Sequence, residues 1–469
     1  MTNASTTSKG SNGKLYLWAI TSALAGFLFG FDTVVISGAE KNIQQLWGLS
    51  SGMHGLAMSA ALWGTVLGAL IGGWPTDRYG RVKTLIGIGL FYFVSALWSA
   101  LANDPYSFMV ARFIGGLGVG ISTIVAPLYI SEISPADKRG RLTGMFQFNI
   151  VFGILIAFIS NALLGGIGEN SWRWMLGVEA IPAVIYVLLC LKLPESPRWL
   201  ITKCKEVTAG KKILALINPV MSANELDQMT DSIVNSSNVN QTSSSPFWTK
   251  RLQLPILLAF LIAAFNQLSG INAILYFAPR IFEMTGLGHE AALLQSAGIG
   301  ITNLVATFFG LWLIDRIGRR TLLYIGSVGY ILTLGAISLA FSLEMYAIVP
   351  ACIFLFIASH AIGQGAVIWV FIAEIFPNQH RTTGQSLGCS THWVFAALIT
   401  MFFPALVTNF SASSVFAFFC FMMVLQLIWV YKMVPETKGV SLEDLQEKLG
   451  ISDPEPAIEF NETAKVEQA

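Results

Sequence analysis

Charge is scarce in this chain. Only 12% of its 469 residues are Asp, Glu, Lys or Arg, whereas 54% are hydrophobic and the mean hydropathy is +0.63. A soluble protein carries roughly a quarter charged residues, so the scarcity excludes a string of water-soluble domains and indicates a membrane protein. The charges nearly cancel, to a net +1, which gives no footing for nucleic acid. Cysteine is also scarce: Cys190, Cys204, Cys352, Cys389 and Cys420 are scattered without metal or redox spacing, so no metal and no cofactor is expected. A Gly-rich nucleotide loop, an ATP motif and a nucleophile spaced with a base are all missing, which argues against an enzyme. No small-residue cleavage site follows the first apolar run, so that run reads as a retained helix behind the polar stretch MTNASTTSKGSNGK.

What the chain has is long apolar runs. A spanning helix needs about 20 mostly apolar residues, and twelve such runs occur near 16–38, 55–75, 84–102, 106–130, 141–165, 172–193, 254–284, 290–314, 321–343, 348–376, 382–408 and 413–434. The only long polar stretch, 194–253, separates the sixth from the seventh; KKILALI in its first half predicts short surface helices, and NSSNVNQTSSS is linker-like. The expected organisation is a tail 1–15, a first bundle 16–193, the linker 194–253, a second bundle 254–434 and a tail 435–469. The fold class is all-α, twelve transmembrane helices in two six-helix bundles. Of 28 Lys and Arg residues, 24 fall in the two tails and in the loops after helices 2, 4, 6, 8 and 10; Lys41, Arg112, Arg173 and Arg280 are the exceptions. Basic loops stay inside, so both termini and the linker are expected in the cytoplasm of a multi-pass cell-membrane protein.

The two halves repeat. GGWPTDRYGRVK (72–83) returns as GLWLIDRIGRR (310–320), which pairs Asp77 with Asp315 and Arg81 with Arg319. YISEISPADKRG (129–140) returns as FIAEIFPNQHRTTG (371–384), which pairs Glu132 with Glu374 and Arg139 with Arg381. PESPR (194–198) returns as PETKG (435–439). Three motifs at nearly one offset indicate a duplicated six-helix unit, and parallel halves rocking about a central site are one plan for secondary transporters.

DRYGRVK with DRIGRR, PESPRWL, PETKG and NQLSGIN in helix 7 resemble the sugar porters of the major facilitator superfamily over roughly residues 15–445. The matched acidic and basic residues Asp77, Arg81, Glu132, Arg139, Asp315, Arg319, Glu374 and Arg381 suit a gate whose ion pairs join the bundles only when the cytoplasmic side is closed; holding loops inside is the plainer role, and it accounts for the arginines alone. A sugar pocket needs neutral amides and aromatic plates. The resemblance implies that Asn266, Gln267 and Asn272 of helix 7, Asn303 of helix 8 and Gln147 of helix 5 bind sugar. It also implies that Trp369, Trp393 and Phe29 wall the pocket. Gly270 allows a local break that turns the helix 7 amides inward; the competing role for buried amides is to glue helices together, as expected for Asn149. The chain departs from most members in Asn266-Gln267 for Gln-Gln, His392 for an amide, Ala396 for an asparagine and Ala361 for a glutamate. The sugar itself, hexose or pentose, is therefore open, and His392 is expected to hydrogen-bond it.

Asp32 stands in GFLFGFDTVVISGA, with no other charge between Lys14 and Glu40. A buried carboxylate is costly in lipid or in a protein core. An aspartate at this place marks proton symporters in the family, and its implied partner is Arg112 in MVARFIGGLGVG. A pair that separates and closes during the cycle links proton uptake to conformation; a static pair joining helices 1 and 4 is the alternative. Glu179 in WRWMLGVEAIP is expected to be structural, paired with a cytoplasmic arginine, and His360 to be a satisfied core histidine. The expected function is proton-coupled import of a monosaccharide by alternating access, with sugar, protons and the bilayer as partners and no obligate protein partner. A uniporter with the same pocket is the nearest rival, and a non-transporting sensor is disfavoured by the short acidic tail.

Overall fold

The computed structural model describes residues 4–451 except 136–137, 220, 240–245, 378 and 441, so the end of the C-terminal tail lies outside the described residues. Twelve helices are long and apolar enough to span a membrane: α1 (Ala4–Leu46), α2 (Ser51–Ile71), α3 (Arg81–Leu101), α4 (Pro105–Ile133), α5 (Arg139–Leu164), α6 (Ser171–Cys190), α7 (Lys250–Tyr276), α8 (His289–Ile317), α9 (Arg319–Ser342), α10 (Tyr346–Ile375), α11 (Arg381–Asn409) and α12 (Ala412–Met433). Three short helices, Pro197–Thr202, Val207–Ile217 and Ala223–Val239, occupy the linker.

Local chemistry sets several starts. The Asp104 side chain accepts the backbone N–H groups of Tyr106 and Ser107 ahead of Pro105 in the first turn of α4, a satisfied N-cap. Ser50 and Ser411 cap α2 and α12 in the same way.

Three spans are interrupted. Helix α6 breaks at Val178–Glu179 because Pro182 has no N–H to return to the Val178 carbonyl, which takes the N–H of Ile181 instead at 3.1 Å. Helix α7 breaks at Ser269–Gly270, where Gly270 has φ 83°, a conformation that glycine adopts without strain. Helix α10 breaks at Gly363, with φ −85° and ψ −100°. The α7 interruption matches the sequence expectation; those in α6 and α10 were not anticipated.

The helices assemble as two six-helix bundles, α1–α6 and α7–α12. Large apolar side chains such as Leu163, Leu332, Phe421 and Tyr431 point outward, as a lipid-facing surface requires. Helix α1 is lined with buried small and branched residues, among them Ala19, Ala23, Ala25, Val34 and Val35, and packs along α5 and α4. The Asn161 amide of α5 donates to the Val35 carbonyl at 3.1 Å, one instance of amide glue between helices.

The halves meet where α2 runs along α11 and α5 along α8. A Cβ on Gly55 of α2 would fall 1.8 Å from the Met401 carbonyl oxygen of α11, so only glycine permits this approach. The face of the bundles that carries the linker helices is hereafter the linker face, and the opposite one the far face. Ser51 and Thr408 bridge the halves on the far face, hydroxyl to hydroxyl, at 3.1 Å.

Candidate functional site

At the centre of the first half, Arg112 meets Asp32. Its Nη1 donates to Asp32 Oδ1 at 2.6 Å, and its Nη2 to the Asp32 backbone carbonyl at 2.8 Å. Both side chains are almost wholly buried, at 2% and 1% exposure. The break in α6 brings Glu179 to the same place: its carboxyl neighbours both Asp32 and Arg112, and its Oε1 is buried without a hydrogen-bond partner. The expected pairing of Glu179 with a cytoplasmic arginine is therefore not what forms. Glu179 belongs to the same buried cluster, because α6 turns inward at its proline-induced break. Tyr92 of α3 lies within electrostatic range of both acids, and Tyr276, at the end of α7 in the other half, within range of Asp32 and Arg112. Arg112 is thus ion-paired with Asp32, and a second carboxyl, that of Glu179, lies in the same buried cluster.

The break in α7 builds an amide network in the second half. The Ser269 hydroxyl donates to the Asn266 carbonyl at 2.6 Å and stands 3.4 Å from the Ile271 N–H, so it staples the turn. A Cβ on Gly270 would meet the Phe419 ring at 2.6 Å. The Gln267 amide nitrogen donates to Asn266 Oδ1 at 2.9 Å and lies 3.2 Å and 3.3 Å from the two ring nitrogens of His392, while the Asn272 amide donates to Gln267 Oε1 at 2.9 Å. Aromatic rings continue the wall: Trp369 lies 5.2 Å from His392, His392 4.9 Å from Trp393, and Phe29 of the first half 5.5 Å from Trp393. Seven of the nine residues expected at the sugar site are therefore joined. Gln147 on α5 and Asn303 on α8 form no side-chain hydrogen bond among the described residues, which leaves their amides open. A cavity of about 510 Å³ extends from Trp369 to the linker face and is lined by Val370, Ala373, Glu374, Arg381 and Thr437 among others.

On the linker face the repeated motifs close twice, each within its own half. Arg81 Nε and Nη2 each donate to Glu132 at 2.9 Å, and Nη1 to Asp77 at 3.3 Å. Arg319 donates to Glu374 at 3.2 Å and 2.8 Å, and to Asp315 at 3.2 Å. Arg139 and Arg381 form no ion pair among the described residues, and Arg381 Nε is buried without a partner. Among the described residues, none of these eight side chains makes the pair between bundles expected of a closed gate on this face.

Such pairs are made on the far face, by residues the sequence reading passed over. Arg280, following α7, donates to Glu40 of α1 at 2.8 Å and to Gln44 at 2.5 Å. Lys41 of α1 pairs with Glu283 of the second half. Each carboxylate also holds a histidine of its own half: Glu40 and His54 Nε2 are 2.8 Å apart, and Glu283 and His289 Nδ1 2.6 Å apart. The available signal was that Lys41 and Arg280 are two of the four basic residues away from the basic loops. His360 is satisfied, with Nδ1 2.6 Å from the Tyr330 hydroxyl.

The family of sugar (and other) transporters matches residues 18–449. An arabinose-proton symporter of Bacillus subtilis is 34% identical over 96% of this chain and 98% of its own length. A D-xylose transporter of Levilactobacillus brevis is 35% identical over 97% of this chain and 99% of its own. Among solved structures, the inward open conformation of the xylose transporter XylE from E. coli superposes with a TM-score of 0.82 at 28% identity, covering 92% of this chain and 99% of that one. With the broken helices, the duplicated charge clusters and these likenesses in hand, the chain belongs to the sugar (and other) transporter family, with the major facilitator fold.

Proposed function

We propose that this protein imports a monosaccharide, hexose or pentose, by proton symport through alternating access. The observation that carries the proposal is the adjacency of two unlike sites. A buried cluster of Asp32, Arg112 and Glu179 is reached by Tyr276, four residues beyond Asn272 on the same broken helix. Amides and aromatic plates suit a neutral polyol. Two acids around one cation in a dry site cannot both stay ionised without cost, so the cluster is suited to hold a proton. Separation of Arg112 from Asp32 leaves a carboxylate that takes a proton; closure of the pair expels it. Movement of α7 with sugar reaches this pair through Tyr276, and the two binding events become linked. The relatives described as a proton symporter and as sugar transporters support the same reading.

The basic-residue asymmetry supports a cytoplasmic linker face and cytoplasmic termini. The conformation is then inward-facing: Glu40–Arg280 and Lys41–Glu283 close the outside, the cavity below Trp369 opens inward, and Arg139 and Arg381 are free to engage the opposite half when the inside closes. Roles follow for Gln267, Asn266, Asn272, His392, Gln147 and Asn303 as sugar hydrogen-bonding groups, and for Trp369, Trp393 and Phe29 as ring-stacking walls.

One observation favours a second reading. Arg112 also grips the Asp32 backbone carbonyl, as a static clamp in a uniporter would. Uptake into proteoliposomes decides, with a panel of labelled hexoses and pentoses and with or without an inward proton gradient. Wild type concentrates one sugar only under the gradient, and Asp32→Asn equilibrates it without concentrating it. Equal, gradient-independent equilibration by both proteins makes the chain a uniporter.

A further inference from the structure

Helix α10 is broken at Gly363 into two parts, Val349–Ile362 and Gln364–Ile375. The second part carries Trp369, which lies 5.2 Å from His392 in the proposed sugar site, and Glu374, which holds Arg319 on the linker face. A glycine joint alone does not fix how the two parts are turned relative to each other. Contacts with α9 and α12 do.

Gly326 of α9 and Gly363 lie back to back: a Cβ on Gly363 would stand 2.7 Å from the Gly326 Cα, and one on Gly326 would stand 2.9 Å from the Gly363 Cα. Before the break, His360 Nδ1 is 2.6 Å from the Tyr330 hydroxyl of α9. After it, the Gln364 amide donates to Gln426 Oε1 of α12 at 3.0 Å, the Gln426 amide donates to Ser327 Oγ of α9 at 2.8 Å, and Ser327 donates to the Leu323 carbonyl at 2.7 Å. Gln364, Gln426 and Ser327 are all wholly buried.

The donors in this chain can be counted. The Ser327 proton is spent on the Leu323 carbonyl, so Ser327 can only accept. Gln426 must then turn its nitrogen to Ser327 and its oxygen to Gln364, and Gln364 must turn its nitrogen to Gln426. Each amide has one orientation. The Gln364 oxygen is left buried without a hydrogen-bond partner among the described residues, a cost that an apolar side chain would avoid. At 3.6 residues per turn, Gln364 and Trp369 point about 140° apart around the helix. A hold on Gln364 therefore fixes the rotation of the second part about its own axis, and a turn of that part swings Trp369 relative to His392.

We propose that Gln364 and Gln426 are positioning residues for the sugar site: with Ser327 they set the rotation of the second part of α10 and so hold Trp369 against His392. Neither amide bonds to the pocket amides Asn266, Gln267 and Asn272. Amide glue that only joins helices is the competing account, and the two differ in what happens at Trp369. The proposal rests on the sugar-transport reading above, and its test has one arm that does not.

Gln364→Met and Gln426→Met keep a long unbranched side chain and remove the amide. The double variant removes both amides together, so neither is left buried without the other. The first arm is fluorine NMR of the full-length protein in detergent, without sugar, with its tryptophans replaced by 5-fluorotryptophan. The Trp369 resonance is assigned as the one missing from Trp369→Phe, and that of Trp172, buried in the first half, in the same way. Expected is a shifted or broadened Trp369 resonance in both single variants and in the double, with the Trp172 resonance unmoved. The second arm measures uptake of the sugar that wild type transports. Expected is a half-saturation concentration about tenfold higher in all three variants, with maximal rate kept within about twofold. Glue alone gives another pattern: the single variants melt earlier, the double regains the loss, and neither the Trp369 resonance nor half-saturation moves. That pattern overturns the proposal, as does an unmoved Trp369 resonance or an unchanged half-saturation in the double variant. Should a single variant fail to fold, the double carries both arms. Wild type that transports no monosaccharide defeats the sugar reading alone, and the fluorine arm still decides whether the amide chain holds Trp369.

Discussion

The two halves descend from one duplicated unit, yet they have kept different things. At the linker face the copies repeat the same contacts around one arginine each. Arg81 and Arg319 each return Nη1 to a backbone carbonyl at 3.1 Å, that of Thr76 and that of Ile314. Their backbone N–H groups donate to Glu195 at 3.0 Å and to Glu436 at 2.9 Å. Gly80 and Gly318 have φ of 94° and 92°, and a Cβ on either would stand 2.5 Å from the facing glutamate oxygen. Deeper in the bilayer the likeness ends. The first half buries Asp32, Arg112 and Glu179, whereas the second buries Asn266, Gln267 and Asn272 beside a half-buried His392. The frame that sets helix ends has stayed common to both halves, while the interiors differ, and in the proposed reading they divide the work: charge for the proton, amides for the sugar.

The largest expected effect breaks the charged interior. Arg112→Leu leaves Asp32 and Glu179 buried without their cation. Loss of one partner from a buried ion pair costs about 3–5 kcal/mol, so thermal unfolding of the purified protein should move down by several degrees and proton-driven uptake should vanish. An unchanged melting temperature with normal uptake would show that the guanidinium neither supports nor couples the first half.

Next comes the neutral interior. Gln267 bonds Asn266, Asn272 and His392 at once, and a buried polar group stripped of its partner costs about 1–3 kcal/mol. Gln267→Ala should therefore raise the half-saturation concentration roughly ten- to a hundredfold, while gradient-driven accumulation persists at saturating sugar. Loss of coupling at saturating sugar, with affinity unchanged, would place part of the proton site in the second half and undo the division of labour.

This division explains what could be read from the sequence. The residues of the linker-face clusters were legible because they recur at matched offsets at helix ends, but their partners were not: they were expected to pair between the bundles, and each arginine instead finds its carboxylates within its own half. Asp32 and Arg112 were legible because each is a lone charge in an apolar run, and two such charges in one bundle seek each other. Glu179 was misplaced for the opposite reason: its partners depend on a bend set by Pro182, and a straight helix points it elsewhere. The break at Gly363 was hidden among 43 glycines, since nothing local separates a breaking glycine from one that lets helices touch. The far-face latch of Glu40, Lys41, Arg280 and Glu283 has no twin and no motif; it exists only because α1 continues past residue 38 as a helix to Leu46 and carries its charges to the other half.

The smallest expected effect tests the shared frame. Glu195 Oε1 accepts from the Arg81 and Ser196 N–H groups at 3.0 Å and 2.7 Å, and Oε2 from Val82 at 3.1 Å. Glu436 repeats this with Arg319 at 2.9 Å, Thr437 at 3.0 Å and Arg320 at 3.1 Å. A glutamine in either place offers one acceptor oxygen and turns an N–H₂ group toward a backbone donor, losing about 1–2 kcal/mol. Glu195→Gln and Glu436→Gln should lower the unfolding temperature by the same small amount. The two sites share no partner, so the double variant should lose the sum. Unequal losses, or a double variant no worse than either single, would mean that the matching geometry conceals different loads on the two ends, and that the duplication has diverged at its surface as well as in its core.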